Sequence, residues 1–136
     1  MKRILILLCL PLMTLGQNVN IPDGDFKAYL VGNALINTNG DSEIQVSEAS
    51  AFNGTISCPN MNISDLTGIE DFTALTFLGC ESNQLTSLDV SNNTALTTLS
   101  CPINDLTSLD VSTNTTLTSL YCNYNQLTNL DVSNNT

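Results

Sequence analysis

The sequence contains no histidine and no tryptophan, and only three of its 136 residues are lysine or arginine. The lack of histidine removes the usual general base, the Ser-His and Cys-His nucleophile pairs and the commonest zinc ligand. The lack of tryptophan weakens the case for a surface that stacks on carbohydrate rings. Pairs of carboxylates suited to glycosidase chemistry remain, but they occur at repeated positions. These absences predict a protein that is not an enzyme.

Long apolar runs are also missing, except at the start of the chain. The basic start Met1-Lys2-Arg3 is followed by an apolar run from Ile4 to Leu15. We predict that residues 1–16 are a secretory signal peptide cleaved before Gln17, which makes the protein secreted or displayed on the cell surface. The alternative is a membrane anchor, but the run is shorter than the roughly 20 residues that a spanning helix needs. We expect no membrane span after signal cleavage.

Positive charge is almost absent from the predicted mature chain. Signal cleavage leaves Lys27 as its one basic residue against thirteen acidic residues, a net charge of −12. Such a surface repels phosphate backbones and anionic lipids, so we expect no nucleic-acid partner. The same charge suits an extracellular protein that must stay soluble, and it attracts cations.

The second half of the sequence is dominated by a repeat. The pattern LxxLxCxxNxLxxLDVSxN begins at Leu75, Leu96 and Leu117, so its period is 21 residues. Each unit divides into two halves, with an L-x-C or equivalent trio in the first half and an L-x-V trio in the second. The two-residue spacing within each trio is that of a strand whose alternate side chains point inward. We therefore predict two short extended segments in each coil and little or no helix.

One coil of this size cannot bury its own apolar face, so successive coils must stack to form a common core. An earlier and less regular unit precedes the others, because Ile56-Ser-Cys58 aligns with Leu78-Gly-Cys80. Stacking places equivalent residues of successive coils in columns. The predicted leucine columns are Leu75/Leu96/Leu117, Leu78/Leu99/Leu120, Leu85/Leu106/Leu127 and Leu88/Leu109/Leu130.

The units resemble leucine-rich repeats. The segment from Ile63 to Leu75 is similar to an internalin-type repeat, and the three later units are similar to the nested 21-residue bacterial class called IRREKO. The resemblance covers residues 53–136. It implies a mainly β, right-handed leucine-rich-repeat solenoid with parallel strands, of the kind that secreted bacterial proteins use for binding. The sequence stops at Thr136, before the next coil, so we expect a truncated repeat region.

Two polar columns accompany the leucines. They are Asn83/Asn104/Asn125 and Asp89/Asp110/Asp131. We expect the asparagine amides to bond to turn backbone, because buried turn amides need hydrogen-bond partners. We expect the aspartates to be solvated or bonded to the backbone of the following serine and asparagine. A line of bound cations and a glycosidase pair are the alternatives for the aspartates.

The cysteines form a further column, made of Cys58, Cys80, Cys101 and Cys122. Neighbouring parallel strands would hold their Cβ atoms about 4.8 Å apart, whereas a disulfide needs about 3.8 Å. These positions also point inward in the pattern. We predict buried, reduced thiols, with disulfides and a metal-binding or catalytic role as the alternatives.

Outward positions differ from one coil to the next, and the binding hypothesis depends on them. Phe77 and Tyr121 stand among serines and threonines on the expected sheet face, where exposed aromatic residues can anchor a partner. The other reading is that they only cover a flat surface. The predicted ligand-binding face consists of Phe77, Glu81, Tyr121, Asn123 and Tyr124.

Residues 17–52 lack the repeat and are predicted to form a small helical N-terminal cap. Phe26, Tyr29, Leu30, Ala34 and Leu35 follow near-helical spacing, and an aspartate at position 23 or 25 supplies an N-cap. A solenoid needs such a cap over its first apolar coil.

The cap contains a loop that resembles an EF-hand calcium site. Its oxygen-bearing positions are Asn37, Asn39, Asp41, Glu43 (through its backbone carbonyl), Gln45 and Glu48. A hard cation needs this kind of oxygen cage, and a glutamate at the twelfth position can supply two oxygens. Asn37 stands where the pattern has aspartate, and Ser42 stands where it has glycine. Calcium is therefore one prediction, and an asparagine-rich loop that keeps only the EF-hand shape is the other.

These observations favour a non-catalytic binding scaffold. We expect a secreted or cell-surface protein that contacts a protein or other extracellular ligand through its repeat face. The alternative is a structural spacer that presents a further C-terminal domain.

Overall fold

The computed structural model describes residues 16–135 as a stack of coils with one parallel sheet along one side. The strands are β1 (Thr55–Ser57), β2 (Phe77–Gly79), β3 (Thr98–Ser100) and β4 (Ser119–Tyr121). Their spatial order is β1-β2-β3-β4, and every neighbouring pair is parallel. The register places Ile56, Leu78, Leu99 and Leu120 side by side. Each coil therefore contributes one short strand at the same point of the repeat.

The apolar core is continuous from the N-terminal segment through the coils. Leu78 and Leu99 are fully buried between neighbouring coils, as are Leu75, Leu85 and Leu96. Burial decreases toward the last described coil, where Leu120 and Leu127 are only partly buried and Leu130 is exposed. Each leucine needs a coil on both sides to be fully covered. The column arrangement expected from the repeat is present.

The second half of each coil differs from the prediction. Residues of the L-x-V trios, such as Leu88–Val90, do not form a strand in the described residues. Their backbone runs into tight turns of its own coil, in which Asn93 N donates to the Val90 carbonyl and Leu96 N donates to the Asn93 carbonyl. Within the described residues, no backbone hydrogen bond joins Leu88, Asp89 or Val90 to the backbone of a neighbouring coil, so this half of the coil adds no strand to a sheet. In the first coil a short 3-10 helix, Ile69–Asp71, occupies this place.

Asparagine side chains fasten each coil to the one before it. Nδ2 of Asn104 donates to the carbonyl of Cys80 at 3.0 Å and of Cys101 at 3.2 Å, and its Oδ1 accepts from Leu85 N at 3.0 Å. Asn83 and Asn125 make equivalent bonds. The expected role of this column is confirmed.

The N-terminal segment contains helices α1 (Gly24–Val31) and α2 (Val46–Ala51). Asp23 caps α1, since its Oδ1 accepts the backbone N–H groups of Asp25 and Phe26. The expectation that the helical spacing continues to Ala34 and Leu35 is wrong. The helix ends at Val31 with Gly32 as its C-cap, Leu35 is 78% exposed, and Ile36 is buried in its place.

Several contacts hold the N-terminal segment against the first coil. Oδ2 of Asp23 accepts from both the backbone N–H and the hydroxyl of Ser64, at 2.9 and 3.1 Å. The Tyr29 hydroxyl accepts the N–H of Ser57 at 2.9 Å, which satisfies a donor on the open edge of β1. Gly68 has a φ of 104°, and a side chain there would collide with Ile21. The segment therefore covers the first coil closely.

Within residues 16–135 no helix is both long and apolar enough to span a membrane. The predicted signal peptide lies outside the described residues, apart from its last residue.

Asp23 is predicted to couple the N-terminal segment to the repeats. Burial raises its pKa, but the N–H groups of Phe26 and Ser64 outweigh burial and hold the pKa below 3.8. We expect Asp23→Ala to lower the free energy of unfolding in urea by about 2 kcal/mol at pH 7, because a helix cap and charged hydrogen bonds are lost. A depressed pKa gives stability above the unfolded value, so the difference should shrink as the pH falls below about 3.8.

The matched control is Asp25→Ala, in the same helical turn but exposed. It should cost only a few tenths of a kcal/mol through the helix dipole. If Asp23→Ala and Asp25→Ala lowered the free energy of unfolding equally, Asp23 would not have the predicted coupling role.

Candidate functional site

The outward side chains of the four strands form a surface that we call the outer sheet face. Side chains alternate along a strand, so burial of the central leucine or isoleucine turns its two neighbours outward. The outer sheet face consists of Thr55, Ser57, Phe77, Gly79, Thr98, Ser100, Ser119 and Tyr121. Most of these residues are small and polar, so the two aromatic residues are its largest features.

Phe77 and Glu81 meet over Gly79. A Cβ placed on Gly79 would lie 2.9 Å from Cε1 of Phe77 and 3.1 Å from Oε2 of Glu81. The phenyl ring therefore lies across the glycine and is half-buried. Oε2 of Glu81 is shielded from solvent and accepts no hydrogen bond from the described residues. This strand thus carries an aromatic ring beside a carboxylate oxygen that lacks a donor.

The other predicted binding residues form a second group at the end of β4. Tyr121 is 55% exposed and Tyr124 is 78% exposed, and Asn123 lies between them in the exposed strand exit. One strand, β3, lies between β2 with Phe77 and β4 with Tyr121, so two inter-strand spacings of about 10 Å in total separate the two residues. The structure thus divides the predicted face into a Phe77–Glu81 group and a tyrosine group.

Ile103 lies between these groups and was not among the predicted binding residues. It is 52% exposed although described coils lie on both sides of it. Its backbone is left-handed, with φ of 55°, as at the equivalent positions Asn60, Ser82 and Tyr124. The sequence signal was an isoleucine in a turn position that carries polar residues in the first two coils.

The cysteine column is buried and unpaired in the described residues. Cys58, Cys80 and Cys101 are buried, and Cys122 is partly buried, with all four as free thiols. Burial raises the pKa of Cys58 to about 12, with a further contribution from Glu81, and burial raises that of Cys101 to about 12 as well. Such thiols stay protonated at neutral pH and are poor nucleophiles. The reading as reduced structural thiols fits these surroundings.

The aspartate column is exposed and locally bonded. Oδ1 of Asp89 accepts the N–H of Ser91 at 2.9 Å, and Asp110 and Asp131 bond to Ser112 and Ser133 in the same way. The serine hydroxyl and N–H lower the pKa of Asp89 and Asp110. The aspartates have matching environments, so none of them is set apart as an acid or a base.

The predicted EF-hand ligands all lie in the loop between α1 and α2, where they bond to one another. Oε1 of Glu48 accepts the N–H groups of Thr38 and Asn39, and its Oε2 accepts the N–H of Gln45 at 3.0 Å. Burial raises the pKa of Glu48, but these donors and the Thr38 hydroxyl outweigh burial and lower it overall. The twelfth-position carboxylate is therefore ionised and turned into the loop.

Amide groups fill the middle of the loop. Nδ2 of Asn39 donates to Oδ2 of Asp41 and to Oε1 of Gln45, and Nδ2 of Asn37 donates to the carbonyl of Asp41 at 2.8 Å. No group of three or more His, Cys, Asp or Glu side chains within residues 16–135 is placed to hold a metal. A cation here would thus need the amide oxygens as well as Asp41 and Glu48.

The Glu43 side chain is turned away from the other predicted ligands, and only its backbone carbonyl was predicted to bind a cation. Its carboxylate forms an ion pair with Lys27, with both oxygens 2.8 Å from Nζ. The seventh position of an EF-hand supplies a backbone carbonyl, so its side chain is available for other contacts.

The comparisons with known proteins identify the fold. A solved structure of the functional domain of InlJ from Listeria monocytogenes, which includes a cysteine ladder, matches 88% of the chain with a TM-score of 0.76 and 41% identity. The internalin InlF from Listeria monocytogenes strain 4b F2365 matches 90% of it with a TM-score of 0.72 and 25% identity. The chain has an internalin-type leucine-rich-repeat fold.

The internalin-type likeness is also present in sequence, over a shorter stretch. Over 39 residues the chain is 52% identical to Internalin J of Listeria monocytogenes serotype 4b strain F2365. That match spans 4% of Internalin J, and the structural matches span 27% of the InlJ chain and 36% of the InlF chain. No protein-family model matches the sequence.

The buried thiols predict an alkaline loss of stability. Cys58 and Cys101 have a pKa of about 12 in the folded chain and an ordinary value of 9.0. A raised folded pKa gives stability that is complete below pH 9 and is lost as the pH rises toward 12. We expect the free energy of unfolding in urea to fall by about 1.4 kcal/mol per pH unit for each such thiol above about pH 9. Cys101→Val should show a smaller fall than the unchanged protein, and identical pH profiles would contradict the prediction.

Proposed function

We propose that this chain is part of a secreted or cell-surface protein whose leucine-rich repeats form a non-catalytic binding scaffold for a protein partner or another extracellular ligand. The proposal is supported by the internalin-type fold and by the likeness to the functional domain of InlJ. The chain spans only part of those proteins, so the partner must be argued from its own surface.

The observation that carries the proposal is the contrast between inward and outward positions of the same strands. Inward positions repeat leucine and cysteine from coil to coil. Outward positions change from threonine to phenylalanine and from serine to glycine or tyrosine at equivalent points of neighbouring strands. Packing demands uniformity inside, whereas a solvated face tolerates variety. The Phe77 ring beside a Glu81 oxygen without a hydrogen-bond donor is better explained by contact with a partner than by a need for solubility.

Catalysis fits this chain less well. A general base or nucleophile needs a partner that changes its pKa relative to its neighbours. The aspartates share one environment, and burial keeps the thiols protonated. Binding is therefore the function that these residues support.

The finer features of the proposal follow from the sequence resemblance and from general rules of chain topology. Residues 1–16 would direct secretion and be removed before Gln17. The coils would wind to the right, because parallel strands joined by crossovers almost always do so. The nested 21-residue repeat class and the helical cap over the first coil belong to the same proposal.

The binding role is tested by removing the two aromatic side chains of the outer sheet face. The chain from Gln17 onward is immobilised and exposed to solubilised surface proteins, and the retained proteins are identified. We expect Phe77→Ser combined with Tyr121→Ser to lose about tenfold or more of a retained partner, because large buried anchors dominate such interfaces. The fold is checked by the thermal midpoint.

The control carries Thr107→Ala and Thr128→Ala, two exposed changes in the second half of the coils. It should retain the partner. If the aromatic variant retains the same proteins as the unchanged chain, the outer sheet face is not the binding site and the spacer role is favoured.

We further propose that the Asn37–Glu48 loop binds calcium. The support is the placement of Asn37, Asn39, Asp41, Gln45 and Glu48 in one loop with the Glu48 carboxylate ionised. Coordination would require the Asn39 amide to turn so that its oxygen replaces its nitrogen beside Asp41. The ion would supply the positive charge that loop amides now offer to these oxygens.

A thermal melt with millimolar calcium and then excess chelator tests this site. We expect a calcium-dependent gain that approaches about 2.7 kcal/mol at 100 times the dissociation constant. Glu48→Gln should abolish the gain. Glu43→Gln should keep it, because that side chain binds Lys27 and only its backbone carbonyl would serve the ion. The absence of a calcium-dependent shift in the unchanged chain would leave the loop as a hydrogen-bonded turn.

A further inference from the structure

The sequence contains two Asn-Gly pairs, Asn39-Gly40 and Asn53-Gly54. An asparagine in such a pair can lose its side-chain amide, because glycine has no Cβ to keep its backbone nitrogen away from the asparagine side chain. Asn39 and Asn53 are both exposed to solvent. The hydrogen bonds around each pair therefore decide which of the two asparagines reacts in the folded chain.

The first pair is held by hydrogen bonds in the loop between α1 and α2. The Gly40 N–H donates to Oδ1 of Asn37 at 3.0 Å. Oδ1 of Asn39 accepts from the Asp41 N–H at 2.9 Å, and its Nδ2 donates to the side chains of Asp41 and Gln45. The attacking nitrogen and the leaving amide are thus both engaged. These bonds must break before the pair can react, which slows the reaction.

The second pair, between α2 and β1, lacks such bonds. Within residues 16–135, neither the Asn53 side chain nor the Gly54 N–H makes a hydrogen bond, and only the carbonyl groups of this pair accept one. The pair borders an open cavity of about 500 Å³, which is also lined by Leu35, Ser47 and Phe52. The Asn53 side chain is therefore free to turn toward the Gly54 nitrogen, and water can reach it.

We propose that Asn53 is a site of spontaneous deamidation in the folded chain and that the loop protects Asn39 from the same reaction. The Gly54 nitrogen loses its proton and attacks Cγ of Asn53. The N–Cγ bond forms, the Cγ–Nδ2 bond breaks, and Nδ2 takes up a proton and leaves as ammonia. One water molecule then opens the resulting five-membered imide, which gives aspartate or isoaspartate. This modification is independent of the proposed binding function.

Conversion of Asn53 to isoaspartate would change the junction between the first two coils. The Gly54 carbonyl accepts from the Thr76 N–H at 3.2 Å and from its hydroxyl at 3.1 Å, and the Asn53 carbonyl accepts from the same hydroxyl at 3.4 Å. Isoaspartate adds a methylene group to the backbone shortly before β1 begins at Thr55. The Gly54 carbonyl would be displaced from Thr76, and the first coil would be held less tightly to the second.

The rates at the two pairs test the proposal. The full chain is incubated at neutral pH, both folded and unfolded in guanidinium chloride, and is then digested at glutamate. Because Glu43 and Glu48 lie between the pairs, Asn39 and Asn53 are separated into different peptides for mass spectrometry. In the folded chain we expect Asn53 to convert about tenfold or more faster than Asn39. In the unfolded chain the two rates should become similar, because only the local sequence remains.

Three results would overturn the proposed site. Similar rates at Asn39 and Asn53 in the folded chain would show that the loop gives no protection. Conversion of Asn53 only after unfolding would show that the folded chain prevents the reaction. A rate at Asn53 that does not rise with pH would exclude attack by a nitrogen that must first lose its proton.

Thermal melting tests the effect on the coil junction. We expect the midpoint to fall by about 3–6 °C once the chain has been converted. Asn53→Ser has no amide to lose and should keep its midpoint through the same incubation. Freshly prepared Asn53→Asp carries the added charge on a normal backbone and should melt close to the unchanged chain. An equal fall in incubated Asn53→Ser, or an equally low midpoint in fresh Asn53→Asp, would overturn the assigned effect of isoaspartate.

Discussion

The hydrogen bonds that asparagine side chains make between coils, here called the amide ladder, are the interaction on which the rest of the structure depends. A coil of 21 residues exposes turn carbonyls and N–H groups that no regular secondary structure satisfies. Asn83, Asn104 and Asn125 bond to these groups in their own coil and in the preceding one. Because buried polar groups without partners are costly, stacking in any other register would be penalised. The ladder therefore sets the register in which the leucine columns meet and the strands pair.

Stacking also explains why the two ends of the solenoid differ. A coil buries its leucines only when another layer covers them, and the N-terminal segment provides that layer for the first coil. Asp23 and Tyr29 contribute polar contacts, while Phe52 packs edge-on against Phe72 with ring centres 6.3 Å apart. The Tyr29 hydroxyl also accepts a hydrogen bond from the Ser57 N–H on the open edge of β1. The segment thus completes both the core and the sheet edge.

Because coils must stack, the residues that stabilise the fold and the residues free to contact a partner occupy different positions of the repeat. Inward positions are held to leucine, cysteine and asparagine, so variation accumulates on the outer sheet face and at the left-handed turn after each strand, where Asn60, Ser82, Ile103 and Tyr124 are equivalent. The backbone there is dictated by inter-coil bonds, and it accepts Ile103 at a left-handed turn despite the strain. A rigid scaffold of this kind can hold exposed aromatic and aliphatic side chains in fixed positions, which lowers the entropy lost on binding.

The repeat in the sequence was sufficient to predict the stacked coils, the inward leucines and the asparagine ladder, because each follows from a period that must be satisfied locally. It was insufficient for the second half of each coil, where Leu88–Val90 makes no backbone hydrogen bonds to a neighbouring coil and the chain turns directly after Val90. It also misplaced Leu35, since helical spacing alone does not locate the end of α1. Only the tertiary structure decided that the Glu81 carboxylate rests over Gly79, because the turn after β2 sets the direction of that side chain, and that Lys27 pairs with Glu43, because the packing of α1 against the following loop sets their distance.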